Sequence, residues 1–348
     1  MAGNSNLHDS LKNKQDEFYT EISMIENELK HYRAHFKNKV VLCNCDDPYE
    51  SNFFKYFVLN FNILGLKKLI CTCFNGSSVA GTQMSLFDEE ETPIAAGVAY
   101  KIELSRVEDR NGDGSISLKD VELILNDKKT APVKLKGNGD FRSDECVKLL
   151  KQADIIVTNP PFSLFREYIA QLVENEKEFL IVGRMTAVTY KEILPLFMNN
   201  KVWLGYNSGH FWFKVPDYYE EKPTDFKIDE NGQKWRRMGN ICWFTNLDYK
   251  ERHEDLVLYK HYSPEEYPTY DNYNAIDISN VKDIPLDYYG VMGVPTTFLS
   301  KWNPDQFIVL GSSRYHDGNT NADDINFING VGKFTRILIQ RKESQDEN

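Results

Sequence analysis

Asp154-Ile155-Ile156-Val157-Thr158-Asn159-Pro160-Pro161-Phe162 is the stretch from which the fold is read. A β-branched run that stops at a polar residue and two prolines predicts a buried parallel strand ending in a rigid loop. Ser163 is placed to cap the next helix, whose apolar face would carry Phe165, Tyr168, Ile169 and Leu172. Asn159 to Phe162 then lie at the carboxyl end of a central strand, where open α/β sheets bind ligands. Two consecutive prolines fix the backbone and remove two N–H donors. The loop therefore offers an amide side chain, bare carbonyls and an aromatic face, with no acid, base or nucleophile. That inventory suits a flat, amine-bearing ring better than it suits hydrolysis.

Upstream, Val40-Val41-Leu42-Cys43-Asn44-Cys45 predicts a first strand that runs into the acidic turn Asp46-Asp47-Pro48 and an aromatic helix from Asn52. Strand, turn and helix in that order form a nucleotide-binding βα unit, with the turn meeting the ligand. The glycine-rich dinucleotide fingerprint is missing, and an acidic turn repels a pyrophosphate and attracts a cation. Leu66 to Cys73 predicts the second strand. Cys43/Cys45 and Cys71/Cys73 are each spaced i, i+2, so on neighbouring strands four thiols would gather, as at a zinc site. The competing reading is four small buried hydrophobes, since zinc ligand pairs usually have wider spacing.

Residues 76–134 change character. The acidic run Asp88-Glu89-Glu90-Glu91 precedes an alternating strand pattern at Val98, Tyr100, Ile102 and Leu104. Asp109, Asn111, Asp113, Ser115 and Asp120 then fall at calcium-loop spacing around Gly112 and Gly114, with a helix over Val121–Asn126. A structural calcium ion and a plain Asn-Gly/Asp-Gly turn both fit that string. Strands and helices alternate from Val40 to Gly205, which predicts a doubly wound α/β sheet. The chain is accordingly divided into 1–205, carrying an insert over about 76–134, and a loop-rich, aromatic part over 206–348. In that second part Lys234, Arg236 and Arg237 flank Trp235 as candidate phosphate and base contacts, or as a solvated basic loop.

At 348 residues, with 41% hydrophobic and 13% aromatic residues, the chain can bury one large core or two. No apolar run reaches the length of a membrane span, and the polar N-terminus is no signal peptide, so a cytoplasmic protein is expected. The formal charge of −11 disfavours indiscriminate nucleic-acid binding, so any nucleic-acid cleft must be a local basic surface.

Asn159-Pro160-Pro161-Phe162 matches the amino-methyltransferase signature in which Asp or Asn precedes Pro-Pro and an aromatic residue. Together with Asp16-Glu17-Phe18-Tyr19-Thr20, Cys43 to Pro48, Ser51 to Phe57, Gly139 to Ser143 and Gly290 to Pro295, it resembles the EcoRI-type adenine-N6 DNA methyltransferases. The resemblance covers nearly all of the chain outside residues 76–134. It implies a Rossmann-like sheet, S-adenosylmethionine as methyl donor, and transfer to adenine N6 in duplex DNA after the base is flipped out. A single chain acting on DNA is implied, in a restriction–modification system or alone. The resemblance makes Asn159, Pro160, Pro161 and Phe162 the catalytic loop. It places methionine-end contacts at Tyr19, Thr20 and Asp47, and the cofactor's adenine at Asp140 and Phe141. The usual acidic residue after the second strand is absent, where Cys73-Phe74-Asn75 stands. Taken singly, Asp140 also reads as a turn aspartate and Asp47 as a helix cap. Rival readings are a protein-glutamine or RNA amino-methyltransferase, and a cofactor- or calcium-binding module without activity.

Overall fold

The computed structural model describes residues 20–74, 98–127, 130–215, 217, 219–316 and 327–343. Tyr19 and residues 75–97, with the acidic run at 88–91, lie outside the described residues. The chain forms two compact units. One takes residues up to Gly183 together with Gly209–Ile241, and the other takes Arg184–Ser208 with Cys242 onward.

The first unit opens with helix α1 (Ile22–Leu29) and a 3-10 turn (Arg33–Phe36), which bury Ile25, Leu29, Tyr32 and Phe36. Strand β1 (Val40–Asn44) is buried at every residue, as a β-branched run between two neighbours should be. Helix α2 (Asn52–Leu64) begins where Ser51 Oγ accepts from the Phe53 and Phe54 amides, at 3.1 and 3.3 Å. It ends at Gly65 in the left-handed conformation, φ 62°. Its aromatic side chains Phe53, Phe54, Tyr56, Phe57 and Phe61 are buried.

The sheet is completed by β2 (Lys68–Thr72), β3 (Tyr100–Leu104), β4 (Val133–Lys134), β5 (Ile155–Thr158) and β6 (Glu178–Arg184). Helix α3 (Leu118–Leu125) lies between β3 and β4, α4 (Asp144–Gln152) before β5, and α5 (Phe165–Glu174) after it. The spatial order is β4-β3-β2-β1-β5-β6. β2, β1, β5 and β6 run parallel, whereas β3 is antiparallel to β2 and β4 antiparallel to β3. The α/β sheet is thus a mixed one, with a parallel centre and an antiparallel flank. Its alternating strand β3 is buried at every second residue, the pattern of an antiparallel strand with one covered face, while β1 and β5 are buried throughout.

Two further expectations change. Ser163 does not cap a helix: it sits inside a 3-10 turn, Phe162–Leu164, that starts directly after Pro161. Leu164 N–H closes that turn on the Pro161 carbonyl at 3.0 Å, and α5 begins uncapped at Phe165. The four thiols do not converge either. Cys43 and Cys71 are register partners, but Cys45 and Cys73 lie past the strand ends, and Cys45 takes φ 69°.

The calcium set expected at Asp109, Asn111, Asp113, Ser115 and Asp120 is not assembled. Among the described residues no group of three or more His, Cys, Asp or Glu is placed to hold a metal ion. The loop's carboxylates are turned to its own amides instead. Asp109 accepts from Gly112 and Gly114 N–H at 2.6 and 2.7 Å, and Asp113 from Ser115 at 3.0 Å. Asp120 accepts from the amides of Arg110, Asn111 and Ser117 and is held down to about pKa 2, chiefly by the Ser117 N–H.

The second unit contains helix α6 (Leu194–Met198) and shares two twelve-residue strands with the first, β7 (Trp203–Lys214) and β9 (Lys234–Thr245). The short β8 (Phe226–Ile228) pairs antiparallel with β9. Beyond these come β10 (Ile276–Asp277), β11 (Val291–Pro295), β12 (Phe307–Ser312), β13 (Tyr315–His316) and the small pair β14 (Phe327–Ile328) and β15 (Val331–Gly332). The last strand is β16 (Arg336–Arg341). The sheet order is β10-β11-β16-β12-β13. Its core is aromatic: Phe197 meets Phe244 and Trp302, and Phe298 meets Phe307 edge-on at 5.3 Å. Buried Arg252 lies 3.8 Å from the Trp203 ring centroid and 5.3 Å from that of Trp302. No helix among the described residues is long and apolar enough to cross a membrane.

Candidate active site

Every described candidate for methyl transfer lies in the first unit: Asp47 after β1, Asn159 to Phe162 after β5, Asp140 and Phe141 on the turn that precedes α4, and Thr20 ahead of α1. After Thr158 the chain leaves the sheet through half-buried Asn159, buried Pro160 and half-buried Phe162. The strand ahead of this loop is anchored at its other end, where Asp154 Oδ2 accepts from Val40 N–H at 2.7 Å.

The turn after β1 carries two buried carboxylates with different surroundings. Asp47 Oδ1 accepts from the Tyr100 hydroxyl at 2.7 Å and the Tyr49 amide at 3.0 Å, while its buried Oδ2 has no hydrogen-bond partner among the described residues. Burial raises its pKa, opposed by those two donors. Asp46 Oδ1 accepts from Ser51 Oγ at 3.0 Å, and its Oδ2 is hydrogen-bonded to Thr158 Oγ1. Burial pushes Asp46 up to about 7, against the two hydroxyls that lower it. The Asp46 backbone joins β2 as well: its N–H donates to Thr72 O at 3.1 Å and its carbonyl accepts from Cys71 Sγ at 3.1 Å. Thr20 and Thr72 are buried, and neither Oγ1 has a partner among the described residues. Thr20 is tied to α2 through its carbonyl, which accepts from Asn52 Nδ2 at 2.9 Å.

Asp140 and Phe141 sit on a tight turn that only glycine admits. Gly139 has φ 78°, and a Cβ there would lie 2.2 Å from Cys73 O and 2.8 Å from Ala99 Cβ. Asp140 is half-buried and bidentate to Arg142, with Nε at 2.9 Å and Nη2 at 2.7 Å, so the guanidinium holds its carboxyl below the usual range. Arg142 also donates to Glu167 at 2.8 Å and stacks 5.2 Å from the Phe141 ring centroid. Phe141 is buried, edge-on to Tyr168 at 5.0 Å, and Tyr168 OH donates to Asn44 Oδ1.

Lys234, Arg236 and Arg237 lie on β9, near β8. Lys234 Nζ donates to Tyr219 O at 3.1 Å and Arg236 to the Thr224 and Asp225 carbonyls, while Arg237 pairs with Asp225 at 3.5 Å. Beside them Lys227 lies over the Trp212 and Trp235 rings, 4.7 and 5.7 Å from their centroids.

A family model described as adenine-specific methyltransferase EcoRI matches residues 6–342. The chain belongs to the EcoRI adenine-specific methyltransferase family. It is 46% identical, over 99% of its length and 98% of the relative's, to the Type II methyltransferase M.EcoRI of Escherichia coli. It is also 36% identical to M.MgeORF184P of Mycoplasma genitalium and 35% identical to M.MpnI of Mycoplasma pneumoniae, each across at least 95% of both chains. Both carry the name Type II methyltransferase. No solved structure matches the chain.

For a member of the EcoRI family, three site features were not singled out in the sequence. Asp46 was unremarkable beside Asp47, because adjacent acids in a turn look alike until the fold separates their partners. Arg142 follows Asp140 by two residues, a spacing that only the glycine turn converts into a bidentate pair. Tyr100 reaches Asp47 from β3, 53 residues away. None of the three leaves a local signal.

Proposed function

We propose that this member of the EcoRI family transfers the methyl group of S-adenosylmethionine to the exocyclic N6 of adenine in duplex DNA. The observation that carries this reading is the rigid Asn159-Pro160-Pro161-Phe162 loop set beside a buried acidic turn at the carboxyl ends of β5 and β1. On this reading the first unit is a Rossmann-like methyltransferase sheet with an inserted edge over about 76–134. Residues 206–348 supply target recognition. The chain acts as a monomer, in the cytoplasm where such DNA lies.

The residues present fit the cofactor. The unpartnered Asp47 Oδ2 suits an ammonium, and the unpartnered hydroxyls of Thr20 and Thr72 suit its polar groups. Tyr19, next to Thr20 in the sequence, is assigned to the same end of the cofactor. Asp140 and Phe141 are assigned to the adenine, with Arg142 holding the Asp140 carboxylate in place until the amine competes for it. When bound, the cofactor supplies a methyl on a sulfonium, already an excellent leaving group.

The chain's own task is to aim the acceptor. An aromatic amine is a poor nucleophile because its lone pair is delocalised into the ring. The Asn159 side-chain oxygen and the Pro160 carbonyl accept from the two N6 hydrogens, which turns the nitrogen toward sp³ geometry and points its lone pair. Pro161 keeps that backbone rigid, and Phe162 stacks on the flipped base. Most of the barrier is then met by alignment and charge stabilisation rather than by a base. Lys234, Arg236 and Arg237 are assigned to the DNA backbone and groove.

The test is incubation of the protein with duplex DNA and methyl-labelled S-adenosylmethionine, followed by nucleoside digestion. Label appears as N6-methyladenine; label in protein, in RNA only, or nowhere overturns the reading.

A further inference from the structure

We propose that Asp46 is a positioning residue that works as a neutral carboxylic acid, locking the turn after β1 to the Thr158–Asn159 end of β5. The proposal deepens the function above, since the atom it positions is the Asn159 side chain assigned to the target amine.

Thr158 Oγ1 is hydrogen-bonded to two oxygens, the Asn44 carbonyl and Asp46 Oδ2, yet a hydroxyl has one proton to give. The Asn44 carbonyl can only accept. If Asp46 were ionised, one of these two contacts would set acceptor against acceptor in a buried place, an arrangement proteins avoid. A proton on Asp46 Oδ2 resolves it: the acid donates to Thr158 Oγ1, and Thr158 donates to Asn44 O. The remaining oxygen stays consistent, because Oδ1 accepts from Ser51 Oγ, itself an acceptor for two α2 amides. The acid thus joins the start of α2, the end of β1 and the residue before Asn159. Through its backbone it also joins β2.

The surroundings agree. The titratable groups that face Asp46 are Asp47 and Cys45 on its own turn, Cys43 on β1, Cys71 on β2 and Tyr168 on α5. None of them is a cation. The thiols and the phenol are themselves pushed up by burial and stay neutral, and Asp47 adds a like charge. Burial thus raises Asp46 to about 7.

Four variants test the lock: Asp46→Ala, Asp46→Asn, Thr158→Val, and the double variant of Asp46→Ala with Thr158→Val. Asp46→Ala is expected to lower kcat roughly 10²-fold, the scale of a small misplacement beside reacting atoms, with little change in KM for the cofactor. Asp46→Asn is expected to recover most of that loss, because an amide reproduces the donor and acceptor of the neutral acid. The double variant should be no worse than the worse single one. Melting against pH gives a second readout. With the folded pKa above the unfolded one, the folded state keeps a proton that the unfolded chain has lost, so stability falls as pH rises from about 4 through about 7. Asp46→Asn should remove that fall. The proposal is overturned if Asp46→Asn is as impaired as Asp46→Ala, if the double variant is additive, or if both proteins melt with the same pH slope. Should the wild type transfer no methyl group to DNA, the function fails separately, and the melting data with the same four variants still decide the lock.

Discussion

At the scale of single residues, the proposed site separates aiming from holding. Asn159→Ala should lower kcat by about 10²–10³-fold, as loss of one preorganised polar contact in an active site does, while calorimetry finds the cofactor Kd near wild type. A variant that loses cofactor binding instead would move Asn159 out of its aiming role. Asp47→Asn should do the reverse, weakening cofactor binding roughly ten- to hundredfold, since the lost contact is charge-assisted. An unchanged Kd there would assign the ammonium elsewhere. The amide, prolines and aromatic of the 159–162 loop could be read from residue type alone, because their chemistry is local. The difference between Asp46 and Asp47 could not. It arises because Asp46 meets Ser51 and Thr158 while Asp47 meets Tyr100, and those partners come from three different elements.

Elements show the same division between local and non-local causes. The runs Val40–Asn44 and Ile155–Thr158 were legible because complete burial demands an unbroken apolar sequence. The direction of β3 was not, since alternation marks a half-covered strand without naming its neighbour or sense. Ser163 failed as a cap because the two prolines start a 3-10 turn one residue too early for it. Two consequences are measurable. Gly139→Ala forces a left-handed backbone costing about 1–3 kcal/mol, plus the clash with Cys73 O, so urea unfolding and cofactor affinity should both weaken. Normal affinity in a stably folded variant would detach Asp140 and Phe141 from the cofactor. The 109–120 loop should be acid-sensitive. Asp120 is depressed to about 2, so its contribution is complete above about pH 4 and is lost as pH falls through about 2. Proteolysis within Asp109–Asp120 should therefore quicken over that window, and Asp120→Asn should cut equally fast across it.

At the scale of the molecule, a formal charge of −11 means that DNA affinity must come from a few cations working against the body of the protein. Lys234, Arg236 and Arg237 already contact carbonyls or carboxylates of their own unit, so they are pre-oriented but partly neutralised. If Arg236 meets a phosphate, Arg236→Ala should flatten the slope of log affinity against log salt by about 0.9. An unchanged slope with weaker binding to one sequence would make it a base reader instead. Composition disclosed the charge, and local spacing disclosed the basic cluster. The passage of β7 and β9 from one unit to the other left no mark in the sequence, because a strand reads the same whichever core it serves.

That passage bears on inheritance. The chain changes unit at three places, after Gly183, after Ser208 and after Ile241, so neither unit is a single stretch of the gene. A lone recombination crossover near residue 205 would leave Gly209–Ile241 with a stranger's first unit and break contacts in both products. Relatives can therefore trade recognition only by changing side chains in place or by exchanging segments bounded at two points. New DNA targets in this family should arise by point substitution on a fixed frame more readily than by shuffling of halves.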